Sequence, residues 1–250
     1  MHTRVKTKQE IEYIRRSGEI LKDINNFIIQ STKVGDSTKD LADRAYEKLK
    51  QYKDTKPVFL NYYGFPHVMC VSLNSQVIHG IPKADVIIKS GDLVSIDFGV
   101  NYMGMITDSA RTFVVGKTNT NKQHLIEKTD QALLAGIEVV KNATSIGTIS
   151  SEIEKVLTKS KLGIVREYVG HGVGHNLHES PDIPNYGVAG TGLNLQTGMT
   201  IAIEPMATLG NEAVYQENDG WTVSTVDGSL SAHFEDTVLV LDNSYEILTR

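Results

Sequence analysis

A chain of 250 residues with 40% hydrophobic and 22% charged side chains has the composition of a globular protein able to bury a substantial core. Its formal charge of −5 gives no electrostatic footprint for nucleic acid, and the early basic residues (Arg4, Lys6, Lys8, Arg15, Arg16) suit a solvated helix face. A single cysteine, Cys70, excludes an intrachain disulfide framework, and no apolar run reaches the ~18 residues of a membrane span, so a cytoplasmic protein is expected.

Thr7-Lys8-Gln9-Glu10 has the form of a capping box, and Ile11, Ile14, Leu21, Ile24 and Ile28 then recur at helical spacing to about Gln30. Val34-Gly35-Asp36 breaks that helix, and Ser37-Thr38-Lys39-Asp40 opens another with Leu41, Ala45 and Leu49 on one side. Asn61-Tyr62-Tyr63-Gly64-Phe65-Pro66 reads as an aromatic turn, Cys70-Val71-Ser72-Leu73 as a short strand, and His79 closes an apolar pair before Gly80-Ile81-Pro82. Residues 92–100 form a strand carrying Asp97. Asn101-Tyr102-Met103-Gly104 turns it, and residues 105–116 return with Asp108. Helices are expected over residues 123–141 and 148–160, the second stopped by Gly163. Residues 187–195 look irregular, residues 199–204 form a strand ended by Pro205, and residues 221–224 pair with a strand over 232–241 that carries Glu235.

The halves, about 1–120 and 121–250, echo each other. Gly91 leads a strand to Asp97 and Gly198 leads one to Glu204, with the acid at the same offset and two helices ahead of each strand. A hairpin then returns a second acid, Asp108 or Glu235. This implies one domain, 1–250, of two related halves whose acids face a common axis.

Between these acids lies Gly170-His171-Gly172-Val173-Gly174-His175-Asn176-Leu177-His178-Glu179, a loop with three histidines interleaved with glycine. Carboxylates in apolar strands are costly to desolvate, and several together repel, unless cations compensate them. One imidazole (His171) with Asp97, Asp108, Glu204 and Glu235 is a ligand set for two divalent ions. It suits Mn²⁺, Fe²⁺ or Co²⁺, with Zn²⁺ admissible. Arg111 is an alternative partner for Asp108. Singly, each acid is more often a salt bridge or cap than a ligand, and the matched registers carry the reading. His171 and His175 stand four apart as in helical zinc proteases, but Gly172 and Gly174 disfavour a helix and Gly172 occupies the place of the catalytic glutamate.

Together these blocks resemble the methionine aminopeptidases, specifically the short bacterial type I without an N-terminal zinc-binding extension. The resemblance runs through Lys6-Thr7 with Glu10-Ile11, His79-Gly80-Ile81-Pro82, Asp97 with Asp108-Ser109-Ala110-Arg111-Thr112, His171-Gly172 with Gly174, Leu177-His178-Glu179, Ile203-Glu204-Pro205-Met206 and Ala232-His233-Phe234-Glu235. It implies an α+β "pita-bread" fold: a curved antiparallel sheet with helices on its outer face and internal pseudo-twofold symmetry. It also implies metal-dependent removal of the initiator methionine from nascent proteins when the second residue is small. The substrates would be nascent N-termini, including at the ribosome, and the enzyme a monomer touching neither nucleic acid nor membrane.

By position, Asp97, Asp108, His171, Glu204 and Glu235 would ligate two metals (Co, Mn, Fe or Zn), with Asp108 and Glu235 bridging, and a metal-activated hydroxide would attack the scissile carbonyl. Glu204 is the candidate general base. His178 would stabilise the oxyanion and His79 would contact the peptide nitrogen. Tyr62, Phe65, Cys70, Leu177 and Trp221 would form the methionine pocket, whereas Phe59 and Tyr63 suit core packing equally well. Leu177 departs from a frequent aromatic, His175 from arginine or glutamine, and Asn185 and Asp236 from histidines. His2, His67 and His124 are expected at the surface. Two rivals carry different expectations: an Xaa-Pro peptidase, which usually has an extra N-terminal domain, and a metal-free binding module of the same fold, which typically loses ligands.

Overall fold

The computed structural model describes residues 4–250; His2 lies outside the described residues. Helix α1 (Lys8–Ser31) begins at the expected capping box, with Thr7 and Glu10 satisfying each other's end groups, and buries Ile14, Leu21, Ile24 and Ile28. Helix α2 (Thr38–Leu49) is capped the same way by Ser37 and Asp40 and buries Leu41, Ala45 and Leu49. Strands β1 (Thr55–Pro57), β2 (Cys70–Leu73), β3 (Gln76–Ile78), β4 (Leu93–Tyr102) and β5 (Met105–Val114) follow, with β4 central and paired to β1, β2 and β5, all antiparallel.

Alternation along β4 and β5 sorts their side chains between two faces. Val94, Ile96, Phe98 and Val100 share a core with Leu21, Ile24 and Leu41 of the helices. On β5, Thr107 and Ser109 meet Ser17 and Asn25 of α1. Asp97 and Asp108 therefore turn to the opposite face, away from the helices.

The second half repeats the plan. Helices α3 (Thr120–Glu138) and α4 (Ile146–Lys159) pack on a sheet ordered β15-β14-β9-β7-β8. Its strands are β7 (Gly170–Gly172), β8 (Glu179–Ile183), β9 (Thr200–Ile203), β14 (Asp236–Val240) and β15 (Tyr245–Ile247). Both helices start earlier than expected: Asn119 caps α3 through the Lys122 amide, whereas Ser145 at the start of α4 makes no side-chain cap. Ile201 and Ile203 enter the helical core while Ala202 faces the other way, so Glu204 follows Ala202 to the inner face.

Two pairings differ from expectation. Strand β12 (Val223–Thr225) pairs with β11 (Val214–Gln216) and with β3 of the first half, not with residues 232–241. That expected strand is broken at Phe234-Glu235 into β13 (Ser231–His233), which pairs with β10 (Met206–Thr208), and β14, which pairs with β9; β10 also pairs with β6 (Gly163–Ile164). Across that break the register is still that of one antiparallel return, with Ile203 opposite Asp236 and Met206 opposite His233, so the strand expected to bring back Glu235 does form. Alternation specifies a strand's faces but not its neighbour, which long-range packing decides.

The halves are stitched between β5 and β14. Ala110 and Glu235 exchange both backbone hydrogen bonds, at 3.3 and 3.0 Å. Beside them the Thr237 hydroxyl accepts from the Asp108 amide and donates to the Asp108 carbonyl, at 2.9 and 2.8 Å. Thr237→Val keeps the shape and leaves both buried groups unpaired, so it should lower unfolding free energy by about 2–4 kcal/mol in urea titrations, with Thr237→Ser close to wild type. Equal stability of Thr237→Val and wild type would show that this clamp does not hold the halves.

Candidate metal centre

The inner faces of the two halves enclose a cavity of about 690 Å³ lined by Asp97, Asp108, His171, Glu204 and Glu235. The acids expected to converge do so. Ligand atoms of Asp108, His171 and Glu235 lie within 4.8 Å of one another. Asp97 lines the cavity beside Asp108, where burial and that neighbour's charge raise its pKa, and Glu204 Oε1 stands 3.6 Å from His171 Nε2.

The imidazole is aimed by its backbone. His171 sits opposite Ala202 on β9, and a side chain at Gly170 would meet the Ala202 carbonyl at 2.4 Å, so only glycine permits that approach. His171 Nδ1 lies 2.9 Å from the Gly172 carbonyl, which can only accept, so Nδ1 carries the proton and Nε2 presents its lone pair to the acids. His175 turns away to Glu10 at 2.8 Å, and the pair His171/His175 does not form a helical zinc motif.

Burial and mutual repulsion push Asp97, Glu204 and Glu235 well above the usual carboxylate range, and burial raises Asp108 to about 7. Burial moves the imidazoles the other way: His171 to about 3, His79 to about 4, and His178 also downward. Neutral imidazoles beside crowded carboxylates are a donor set for cations. The buried Asp97 Oδ1 and Glu235 Oε1 lack any hydrogen-bond partner in the protein, which fits them to a divalent ion. Arg111 does not pair with Asp108. It donates to the carbonyls of Ala110 and Glu235 and to Asp236 Oδ1, on the outer side of β14 from the acid cluster.

Tyr62, Phe65, Cys70, Leu177 and Trp221 all line the same cavity, with the rings of Phe65 and Trp221 5.2 Å apart. Phe59 lines it too while lying in the core beside Cys70, whereas Tyr63 is 86% exposed at the cavity and is not a core residue. His79 also lines the cavity, in a left-handed backbone conformation (φ 58°) between the rings of Tyr168 and Trp221. His178 stacks edge-on to His171 with centroids 4.3 Å apart, and its Nδ1 meets the Tyr62 hydroxyl at 3.1 Å. His67 and His124 are half-buried rather than freely exposed, the latter bonded to the Ser160 carbonyl. Asn185 donates to the Glu204 carbonyl, and Asp236 pairs with Arg111 and Arg250.

Sequence reading missed His233, buried with Nε2 3.3 Å from Glu204 Oε2 and lowered by burial to about 3. Its place two residues before Glu235 was a signal, obscured by the strand break between them. Tyr168, Glu167 and Asp182, also on the cavity wall, carried no signal in the sequence.

An antiparallel α+β scaffold of two like halves, with acids from both facing one cavity, defines a class of metallopeptidases. The model of metallopeptidase family M24 matches residues 12–242, and the chain belongs to that family. Within it, the methionine aminopeptidase of Clostridium acetobutylicum is 41% identical over 245 residues, covering 98% of each chain, and methionine aminopeptidase 1 of Bacillus subtilis is 40% identical with the same coverage. The crystal structure of a methionine aminopeptidase from Thermotoga maritima superposes with a TM-score of 0.97 at 40% identity, over 99% of both chains. A prolidase from Pyrococcus furiosus follows at 0.79 and 26%, with the match covering 98% of this chain and 65% of the prolidase. The fold is the pita-bread fold.

The pKa shifts give a test of cation binding. Asp108 has its folded pKa raised from 3.8 to about 7, so its contribution to metal-free stability is present below 3.8 and is lost as pH rises through about 7. His171, lowered from 6.5 to about 3, works oppositely, but its contribution is already complete above pH 6.5. From pH 6.5 to 8 the chelated protein should therefore lose melting temperature, and the upward shift produced by Mn²⁺ should grow. Thermal melts with and without chelator at both pH values check this; an Mn²⁺ shift of equal size at both, or none, would contradict it.

Proposed function

We infer that this chain removes N-terminal methionine from polypeptides by metal-dependent hydrolysis, acting on nascent chains whose second residue is small. The observation that carries this reading is that one cavity joins a cluster of acids with an aromatic, apolar wall. The wall formed by Tyr62, Phe65, Cys70, Leu177 and Trp221 suits a methionine side chain, whose burial contributes about 1.5–3 kcal/mol with further gain from sulfur–aromatic contact.

Asp97, Asp108, His171, Glu204 and Glu235 would hold two divalent ions of the Mn, Fe, Co or Zn type. When bound, such ions supply Lewis acidity and make a water molecule acidic enough to attack a carbonyl. Glu204, whose proton affinity is raised by burial and by Asp108, would accept a proton from the attacking water. His178 is held neutral by burial. The Tyr62 hydroxyl lies 3.1 Å from its Nδ1; with that hydroxyl as donor, Nε2 keeps the proton and would donate to the oxyanion. His79, also neutral, contacts the scissile nitrogen and assists the leaving amine. The substrate's α-amino group would be held at this centre, which selects chain termini.

The reaction would run in the cytoplasm, at ribosomes among other sites, with the enzyme acting as a monomer. Among the described residues no helix is long and apolar enough to cross a membrane.

Met-Ala-Ser peptides should be cleaved when Mn²⁺, Fe²⁺ or Co²⁺ is added and not in chelator. Xaa-Pro peptides should be cleaved more slowly; the reverse order would favour the rival peptidase, and no turnover with any ion would favour a binding module. His171→Ala should abolish turnover with the circular dichroism spectrum unchanged. His178→Ala should lower kcat about 10²–10³-fold, as expected for loss of an oxyanion donor.

A further inference from the structure

The loop carrying the two central histidines is unevenly supported. His171 lies in the ladder, paired to Ala202, and Val173 continues the contact by exchanging bonds with Thr200. From Gly174 to His178 the chain leaves the ladder and runs irregularly until β8 begins at Glu179. His178 thus depends on whatever fastens this excursion.

The fastening comes from residues 6–10, more than 160 positions away. Lys6 has a side chain that is 0% exposed, although a buried ammonium is costly to desolvate and burial lowers its pKa. Its Nζ donates to the Val173 carbonyl at 2.9 Å, where the excursion starts, and to Glu179 Oε2 at 3.4 Å, where it ends. The Glu179 Oε1 accepts from the Asn176 amide at 2.9 Å, closing the excursion on itself. The Lys6 stem crosses Gly174 so closely that a Cβ there would stand 2.4 Å from Lys6 Cε. Nearby, His175 is tied to Glu10, whose other oxygen caps α1 at the Thr7 amide, 2.7 Å away.

We propose that Lys6 is a positioning residue for catalysis: by bridging Val173 and Glu179 it fixes the reach of His178 into the cavity. The ammonium spans both ends of the loop, and Glu179 is the immediate neighbour of His178. The ladder holds His171 without help from Lys6, so loosening the bridge displaces the donor and spares the metal ligand. A misplacement on the ångström scale at such a donor costs far more in turnover than in binding. The proposal rests on the methionine aminopeptidase reading.

Lys6→Met retains a stem over Gly174 and removes the charge, and Lys6→Met with Glu179→Gln removes both charges of the pair if the single variant folds poorly. With Met-Ala-Ser as substrate and Mn²⁺ as the ion, kcat should fall about tenfold to a hundredfold, with KM and the calorimetric Mn²⁺ affinity each within about threefold. In a His178→Ala background the same change should alter kcat by less than about twofold, since coupled residues are non-additive. Unchanged kcat in the wild-type background, an equal loss in the His178→Ala background, or a parallel loss of Mn²⁺ affinity would each overturn the proposal. Nitrogen-15 spectra of the metal-free protein give a reading that does not need turnover. The His178 ring signals should move in Lys6→Met while those of His171 stay, and no movement counts against the clamp. Absence of wild-type turnover with these spectral changes present would instead refute the parent reading.

Discussion

Asp97, Asp108, Glu204 and Glu235 are buried around one cavity, and no lysine or arginine among the described residues forms an ion pair with any of them. Such an arrangement is unfavourable in the protein alone: desolvation and repulsion both drive these groups toward their protonated forms. It is sustained by a scaffold stable enough to hold the acids together and is relieved when cations enter. Positive charge stands behind the cluster instead, with Arg111 clasping Asp236 and the Glu235 carbonyl. That arrangement anchors the backbone at Glu235 while leaving the cavity carboxylates without a basic partner.

The scaffold meets this demand by repetition. In each half two helices cover one face of an antiparallel sheet, and alternation sends an acid from the covered strand to the bare face. Bringing the two bare faces together requires the β5–β14 seam, where Ala110 and Glu235 pair and Thr237 grips Asp108. The same contact that joins the halves thereby sets the distance between two of the cavity carboxylates, Asp108 and Glu235. Stability and site geometry share their hydrogen bonds here.

Around the acids, the imidazoles differ in how they are held. His171 is fixed by a strand and by its own backbone carbonyl, His233 by β13 beside Glu204, and His178 by a tyrosine hydroxyl and an excursion outside the ladder. All are kept neutral by burial, which suits them to ligate or to donate without adding charge. The apolar wall of Phe65, Cys70, Leu177 and Trp221 adjoins this polar centre in the same cavity. His79 closes the wall in a strained backbone conformation of the kind found at functional positions.

Much of this was legible in the sequence because it is local. Capping boxes, helical spacing and strand alternation depend on residues a few positions apart, so α1, α2, β4 and the inward aim of Asp97 could be read directly, and the offset shared by Asp97 and Glu204 exposed the duplication. What could not be read was partnership between distant segments. The pairing of β12 with β3, the break before β14, Arg111 choosing Asp236 over Asp108, Tyr63 at the surface and His233 against Glu204 each depend on which surfaces meet after folding. The sequence by itself determined which residues are ligand-like and which face of each element they occupy. Only the tertiary structure decided their neighbours, because hydrogen-bond partners and burial are properties of the assembled faces and not of any one segment.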